Sequence, residues 1–520
     1  MRRPLNRGMN ELKPSAVVRS VLLVGLMLLL VGRWSSSLHG AAMERSTEAR
    51  PIFVGNYPDP SILRDGDDYY LTHTTLRWQP ALVIWHSKDL KEWRPISSAA
   101  VNLNSSVWAP DLIKHEGRYH IYFPGVPRGN YLTSADDIRG PWSHPVQVEN
   151  CPGIDPGHVV DVETGQRYLH VSGGNAARLS KDGRRLEDEV KKVYSGWPIP
   201  SDWDVECPCL ESPKLVFRGG WYYLTSAQGG TAGPATSHMV VSARSRSPVG
   251  PWQSSPFNPI IRTWSPEEDW ISKGHGTIFE GPRGRWWSIL HGYRNGYRSL
   301  GRSILLEPIE WTNEGWFRVA DRWPEDWEGF SSPKKPQVDE FDGEQLSLRW
   351  QFYESLDANR IHLTGEKLVL KGFGDQPGRS RPMAWMAGHP SYQVEVDLEL
   401  EGNGEVGLLA FYDPDHYSGI GLDASGRLKR VSVGMKGGNS IQPLGSGIRR
   451  VWLRMDNRHH DVSFRYRFDV NHQWTYLPSA LDASMAHHNN WGEWHSLRPA
   501  LYVTGSASAH LRRFTYTPGE

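Results

Sequence analysis

Asp59, Asp155 and Glu211 each occupy the same place in a short recurring opening: Tyr57-Pro-Asp-Pro-Ser-Ile-Leu63, Ile154-Asp-Pro-Gly-His-Val-Val160 and Leu210-Glu-Ser-Pro-Lys-Leu-Val216. Two further openings put Ala109 (in Trp108-Ala-Pro-Asp111) and His275 (in Gly274-His-Gly-Thr277) at that place. Three carboxylates and an imidazole in register are proton-transfer groups. If the fold gathers them, like charges in a shared site push their pKa values apart, so one carboxyl keeps a proton while another ionises. An acid facing a base across a pocket is what hydrolysis of a glycosidic bond needs: one group protonates the departing oxygen, the other activates water or attacks carbon. A plainer role exists for each Asp-Pro pair, whose Asp can simply bond nearby backbone amides in a turn. That role explains one such Asp more readily than three equivalent positions.

The elements that would gather them are visible as a repeat. After each opening come a short apolar strand, a turn and an aromatic-rich strand, marked by Tyr69, Tyr119, Tyr168, Tyr222 and Trp286. Their spacings are 50, 49, 54 and 64 residues. Three units add a third strand ending at Trp93, Trp142 or Trp252. Units of about 50 residues made of several short strands read as propeller blades. We therefore expect an all-β chain with a five-bladed β-propeller over residues 46–325; a β-sandwich with coincidental aromatic strands is the alternative. In a propeller the innermost strands line the axis, so equivalent positions converge there. Aromatic rings around such a depression offer apolar walls for the C–H faces of a sugar.

Composition narrows the class. Gly (52) and Pro (37) make 89 of 520 residues, which argues for turns over helical bundles. Lys+Arg and Asp+Glu are both 58, so the basic excess of a nucleic-acid binder is missing and no nucleic-acid partner is expected. Residues 1–45 combine Arg2, Arg3, Arg7, Lys13 and Arg19 with the uncharged stretch 21–32 and small residues at Gly40, Ala41 and Ala42. This reads as a signal peptide and leader, and the mature chain as exported (periplasmic or extracellular) and free of the membrane. The alternative is an uncleaved signal anchor. Residues 326–337 read as a Pro- and charge-rich linker. Beyond it Tyr392, Val394, Val396, Leu398 and Leu400, then Val462, Phe464, Tyr466, Phe468 and Val470, alternate with polar residues. Period 2 with one apolar face predicts a β-sandwich of the jelly-roll kind over residues 338–520. Of the three cysteines, Cys151 and Cys207 each lie four residues before a ring carboxylate. A disulfide from Cys151 to Cys207 or Cys209 is one expectation and three buried thiols the other.

These motifs together resemble glycoside hydrolase family 43, particularly its β-xylosidase branch, over residues 51–320. Asn56-Tyr-Pro-Asp-Pro-Ser-Ile62 resembles the opening strand with the general base, implying that role for Asp59. Glu211-Ser-Pro-Lys-Leu215 resembles the strand with the general acid, implying Glu211, and Gly153-Ile-Asp-Pro156 the strand whose Asp orients the acid and tunes its pKa, implying Asp155. The resemblance further implies inversion, an ionised Asp155 raising the pKa of Glu211, and substrate contacts from Trp78 (Trp78-Gln-Pro80), Trp108, His275 and Arg302. No cofactor is expected to be required. In relatives the His at the position of His275 sometimes lies beside a calcium, so a structural calcium is an expectation; the sequence itself shows no metal-ligand cluster. Asp339-Glu-Phe-Asp-Gly-Glu-Gln-Leu-Ser-Leu-Arg-Trp350 resembles the start of the concanavalin A-like domain behind xylosidase propellers; an independent carbohydrate-binding module is the alternative. Ser212 stands where the family usually has Gly, and Gln228 where many xylosidases have Glu. The implied activity is exo-acting release of terminal xylose or arabinofuranose from an oligosaccharide or polysaccharide. An α-L-arabinofuranosidase, another exo-glycosidase and a non-catalytic sugar-binding propeller are the alternatives.

Overall fold

The computed structural model describes residues 48–103, 106–125, 129–327, 335–435, 447–478 and 480–519. The expected export segment at residues 1–45 and the middle of the expected 326–337 linker lie outside the described residues.

Five antiparallel sheets follow one another in chain order as the blades of a propeller. Their innermost strands are Ser61–Asp65, Asp111–His115, Gly157–Val160, Leu210–Arg218 and Trp270–Glu280, and each touches the next around the ring. The hairpins form where the sequence supplies left-handed backbone. Glu116-Gly117 joins Asp111–His115 to Arg118–Gly125 with φ of 48° and 83°, the two positive angles that match the twist of paired strands. The ring closes at blade 5, where the first strand, Arg50–Phe53, pairs with Arg302–Trp311 (Arg50 opposite Leu306). Trp93 and Trp142 lie in the turn after the third strand rather than in it. Their indole N–H groups donate to the carbonyls of Leu90 (3.1 Å) and Ile138 (3.3 Å), so each ring locks its own turn.

The second domain stacks a nine-stranded sheet on a seven-stranded one. Along Ser391–Glu401 the expected alternation holds: Tyr392, Val394, Val396, Leu398 and Leu400 are all buried, and pack against Val406, Leu408 and Ala410 of the facing sheet. The second expected strand stops at Arg467, leaving Val470 56% exposed.

One strand of the seven-stranded sheet comes from the propeller. Trp78–Gln79 pairs with Gln351–Tyr353, placing Trp78 opposite Tyr353 and Gln79 opposite Phe352. Trp78 is fully buried among Tyr353, Phe411 and His495, with the guanidinium of Arg498 4.1 Å from its ring centre. The expected sugar wall is therefore an anchor between domains. An indole inserted into an aromatic cluster has no face left for substrate. The sandwich is also not an independent module, since its sheet is completed by a strand from the propeller.

The cysteine expectation is corrected too. Cys207 and Cys209 form a disulfide, and Cys151 is a buried free thiol whose pKa burial pushes up to about 12. Cys151 is buried among Leu132, Leu169 and Val171, with Asn130 Nδ2 3.3 Å from its sulfur, whereas Cys207 and Cys209 share one loop. Among the described residues, no helix is long and apolar enough to cross a membrane.

Candidate active site

Asp59, Asp155, Glu211 and His275 do converge on the axis. The backbone turns at each site to aim the side chain inward: φ is 56° at Asp59, 55° at Asp155 and 51° at His275. Left-handed backbone at three equivalent non-Gly positions is uncommon and disfavoured. Asp59 and Asp155 lead directly into the inner strands that start at Ser61 and Gly157, and His275 lies within Trp270–Glu280. On blade 4 the left-handed residue is the one after the carboxylate, Ser212, at 51°, beside a register shift between Glu211 and Lys214. This explains physically why Gly suits that position. Ser212→Gly should stabilise the chain by about 1 kcal/mol with activity unchanged, measured by denaturant unfolding; a loss of stability would contradict this.

His275 is the hub. Its Nδ1 lies 3.3 Å from Asp59 Oδ1, and its Nε2 lies 3.2 Å from Glu211 Oε1 and 3.8 Å from Asp155 Oδ2. The imidazole of His275 thus lies between Asp59 and Glu211.

Asp59 is buried yet ionised. Burial alone would raise its pKa, but Arg302, His275 and His291 hold it well below the usual carboxylate value. Arg302 donates to Oδ1 at 2.9 Å and the Thr74 hydroxyl to Oδ2 at 2.6 Å. Nδ1 of His291 lies 3.0 Å from Asp59 Oδ1, and burial, with Arg302 added, holds the His291 pKa well below the usual imidazole value. His275 is the opposite case. Burial pulls its pKa down, but Asp59, Glu211 and Asp155 outweigh burial and lift it to about 9.

The proton lies elsewhere than expected. Burial, with repulsion from Glu211 and Asp59 added, raises Asp155 to about 7 against the attraction of His275. Glu211 is lowered: burial pushes it up, but His238 and His275 pull it down further. The physical reason is access. The Asp155 side chain is 5% exposed and that of Glu211 22%, and Glu211 has imidazoles on two sides. Asp155 is thus the carboxyl most ready to hold a proton, and the three groups titrate as one coupled cluster.

His238, His291, Thr74 and Trp494 were not singled out in the sequence. His238 sits just before the third strand of blade 4, 3.6 Å from Glu211. Gly274 makes room for it, since a methyl group there would run into the imidazole. Trp494 arrives from the sandwich: Asn56 Nδ2 donates to its carbonyl at 2.9 Å, and its ring lies 4.9 Å from the Arg302 guanidinium. The walls around the four axial residues include Trp108, Leu76, Ile154, Thr231, Arg302 and Trp494, enclosing about 200 Å³. Trp108 and Arg302 thus stand where they were expected, and Trp494 takes the place foreseen for Trp78.

Calcium does not fit here. Among the described residues, the two groups of side chains able to share an ion are Asp59, His275 and His291, and Glu211, His238 and His275. Each offers one oxygen and two imidazole nitrogens, where calcium takes six to eight oxygens. Arg302 already occupies Asp59.

The sequence profile of glycosyl hydrolases family 43 matches residues 49–317, and that of the beta xylosidase C-terminal concanavalin A-like domain matches residues 338–517. A non-reducing end alpha-L-arabinofuranosidase of Bacteroides ovatus is 31% identical over 380 residues, covering 67% of this chain and 68% of that protein. A xylan 1,3-beta-xylosidase of a Vibrio species is 27% identical, covering 88% and 92%. The crystal structure of a xylan beta-1,4-xylosidase from Bacillus halodurans C-125 superposes with a TM-score of 0.77 at 26% identity, over 91% of this chain and all of that one.

Proposed function

We propose that this chain, which belongs to glycosyl hydrolase family 43, releases single terminal xylose or arabinofuranose units from xylan-type chains with inversion at the anomeric carbon. The observation that carries this reading is the 200 Å³ pocket with Asp59 and Glu211 on either side of His275. That volume is below the range of pockets for larger ligands, about 300–1,000 Å³, and suits one monosaccharide. Relatives named for xylosidase and for arabinofuranosidase activity support the two candidate sugars.

Asp59 is the general base. Arg302 keeps it ionised, and Thr74 and Arg302 fix its two oxygens so that it takes a proton from a water on one face of the sugar. Glu211 is the general acid for the departing oxygen. A sugar over Glu211 strips its remaining water, which raises its pKa and favours movement of the cluster proton onto it. His275, within 3.2 Å of Glu211 and 3.8 Å of Asp155, lies between the two carboxyls. Asp155 and His275 are positioning residues that supply and hold that proton. Calcium has no part in this reading, so a calcium chelator should leave the rate unchanged. Export of the mature chain belongs to the same proposal, and the Cys207–Cys209 disulfide supports it.

Paired assays with nitrophenyl β-xyloside and α-arabinofuranoside, with the anomer of the first product followed by NMR, test the reading. Release of one sugar with inverted configuration, abolished by Asp59→Asn, is expected. A retained anomer, or activity untouched by that change, would overturn it and favour a binding protein. The pH profile gives a second check. Activity falls as the cluster loses its proton, so the alkaline limb should lie between the values of about 7 and 9 that bracket Asp155 and His275. Asp155→Asn removes a negative charge that holds the proton on its neighbours, so the limb should move to lower pH. An unmoved limb would contradict the assignment.

A further inference from the structure

A fourth carboxylate lines the catalytic pocket beside Asp59, Asp155 and Glu211. Glu206 lies five residues before Glu211, on the loop that leads into Leu210–Arg218 of blade 4, and shares the pocket wall with Gly230, Thr231 and Trp494. We infer that Glu206 is a specificity-determining residue: its carboxylate accepts a hydrogen bond from one hydroxyl of the terminal sugar, so that hydroxyl must be present and unsubstituted. The inference rests on the exo-glycosidase reading above.

Glu206 is held at backbone and side chain alike. Its backbone N–H donates to the Gly229 carbonyl at 3.0 Å and to the Ser237 hydroxyl oxygen at 2.9 Å. Its Oε2 accepts from the backbone N–H of Ala232 at 2.7 Å and of Gly233 at 3.0 Å. Glycine permits this close approach: a Cβ on Gly230 would lie 2.4 Å from Oε2, and one on Gly233 would lie 2.7 Å from the Glu206 Cβ. Two other elements hold the same segment. Asn489 of the sandwich donates to the Ala232 carbonyl at 2.8 Å, and Arg298 of blade 5 to that of Gly233 at 3.2 Å. The Cys207–Cys209 disulfide then ties the chain that runs from Glu206 to Glu211. A glutamate on the surface ordinarily samples several rotamers. Here the side chain is already fixed, so a hydrogen bond to substrate costs little further ordering.

Both of the bonds that grip the segment use Oε2, so the carboxylate has its other oxygen to offer a ligand. The neighbouring wall residue points to a ligand as well. Thr231, between Gly230 and Ala232, is 7% exposed, and among the described residues its hydroxyl has no hydrogen-bond partner. A buried hydroxyl without a partner costs free energy, and in the wall of a sugar pocket a substrate hydroxyl removes that cost. A carboxylate only accepts, so the group it binds must carry a proton. A free hydroxyl does; an O-acyl or O-methyl group does not, and adds bulk. A site built on such a bond rejects analogues that lack it more strongly than an apolar wall rejects an added carbon.

The test uses single-sugar substrates, so that only the pocket is read. The unsubstituted chain and Glu206→Gln are compared on the nitrophenyl glycoside that the chain hydrolyses and on analogues of it that each lack one hydroxyl. Gln keeps a carbonyl oxygen for the N–H groups of Ala232 and Gly233, so the denaturant midpoint should stay where it is, but the charged acceptor is lost. For the parent glycoside kcat/KM should fall about tenfold. For one analogue Glu206→Gln should cost nothing, because the bond that the substitution weakens is already absent; the others should show the full tenfold loss. The glycoside O-methylated at that same hydroxyl should be hydrolysed no faster than its deoxy counterpart. Equal losses on every analogue would overturn the inference. So would an unchanged Glu206→Gln beside a destabilised Glu206→Ala, which would make Glu206 a clamp for the loop and nothing more. Turnover of the parent glycoside by the unsubstituted chain reports separately on the exo-glycosidase reading.

Discussion

Glu211→Ala is expected to reduce turnover of a xylo-oligosaccharide by about 10²–10⁴-fold, the usual contribution of a positioned acid, while nitrophenyl glycosides lose far less. The difference follows from the leaving group. A sugar alkoxide is a poor leaving group and needs a proton in the transition state, whereas nitrophenolate departs without one. Glu211 reaches the pocket with a side chain 22% exposed, and His275 lies 3.2 Å away. The alanine removes the proton donor but leaves Asp59, Thr74 and Arg302 in place to activate water. Asp59→Asn should behave differently and depress both substrates alike. Rates for the two substrate types, compared across the two variants, check the assignment. Equal losses on both substrates in Glu211→Ala would mean that Glu211 is not the acid.

Trp78→Ala is expected to remove about 3–5 kcal/mol of stability. The indole is fully buried, makes edge contacts with Tyr353 and Phe411 at 5.3 and 5.9 Å, and carries Arg498 on its face. Alanine would leave a cavity between two domains and a buried guanidinium without its aromatic partner. The change should also lower activity, because it loosens the sandwich that delivers Trp494 to the pocket. Deletion of residues 337–520 should go further: it exposes the Trp78 cluster and opens the pocket wall, giving an insoluble or inactive remainder. Denaturant unfolding measures the first effect, and solubility with turnover the second. A shift under 1 kcal/mol in Trp78→Ala, or a soluble and fully active remainder, would show that the domains are independent.

The five openings and their aromatic strands made the propeller legible, because each blade is a local unit whose strands pair with their neighbours in sequence. The register of Asp59, Asp155, Glu211 and His275 followed from the same repeat, since equivalent positions on inner strands must meet at the axis. His238 and His291 lack that signature. One lies between strands of blade 4 and the other on the second strand of blade 5, so nothing in their spacing links them to the ring. Trp78 misled for a related reason. A tryptophan near a pocket motif reads as a sugar wall until the partner that covers it is known, and here the partner is Tyr353, 275 residues away.

By itself, then, the sequence determined the blade architecture, the sandwich pattern and which carboxylates would meet. These depend on short-range alternation and on a period that repeats five times. Tertiary structure alone decided that Trp494 rather than Trp78 walls the pocket, that Cys207 pairs with Cys209, and that the proton favours Asp155 over Glu211. Each of those depends on burial and on neighbours brought together from distant segments. Desolvation and charge separation in three dimensions, which no spacing along the chain records, set the outcome.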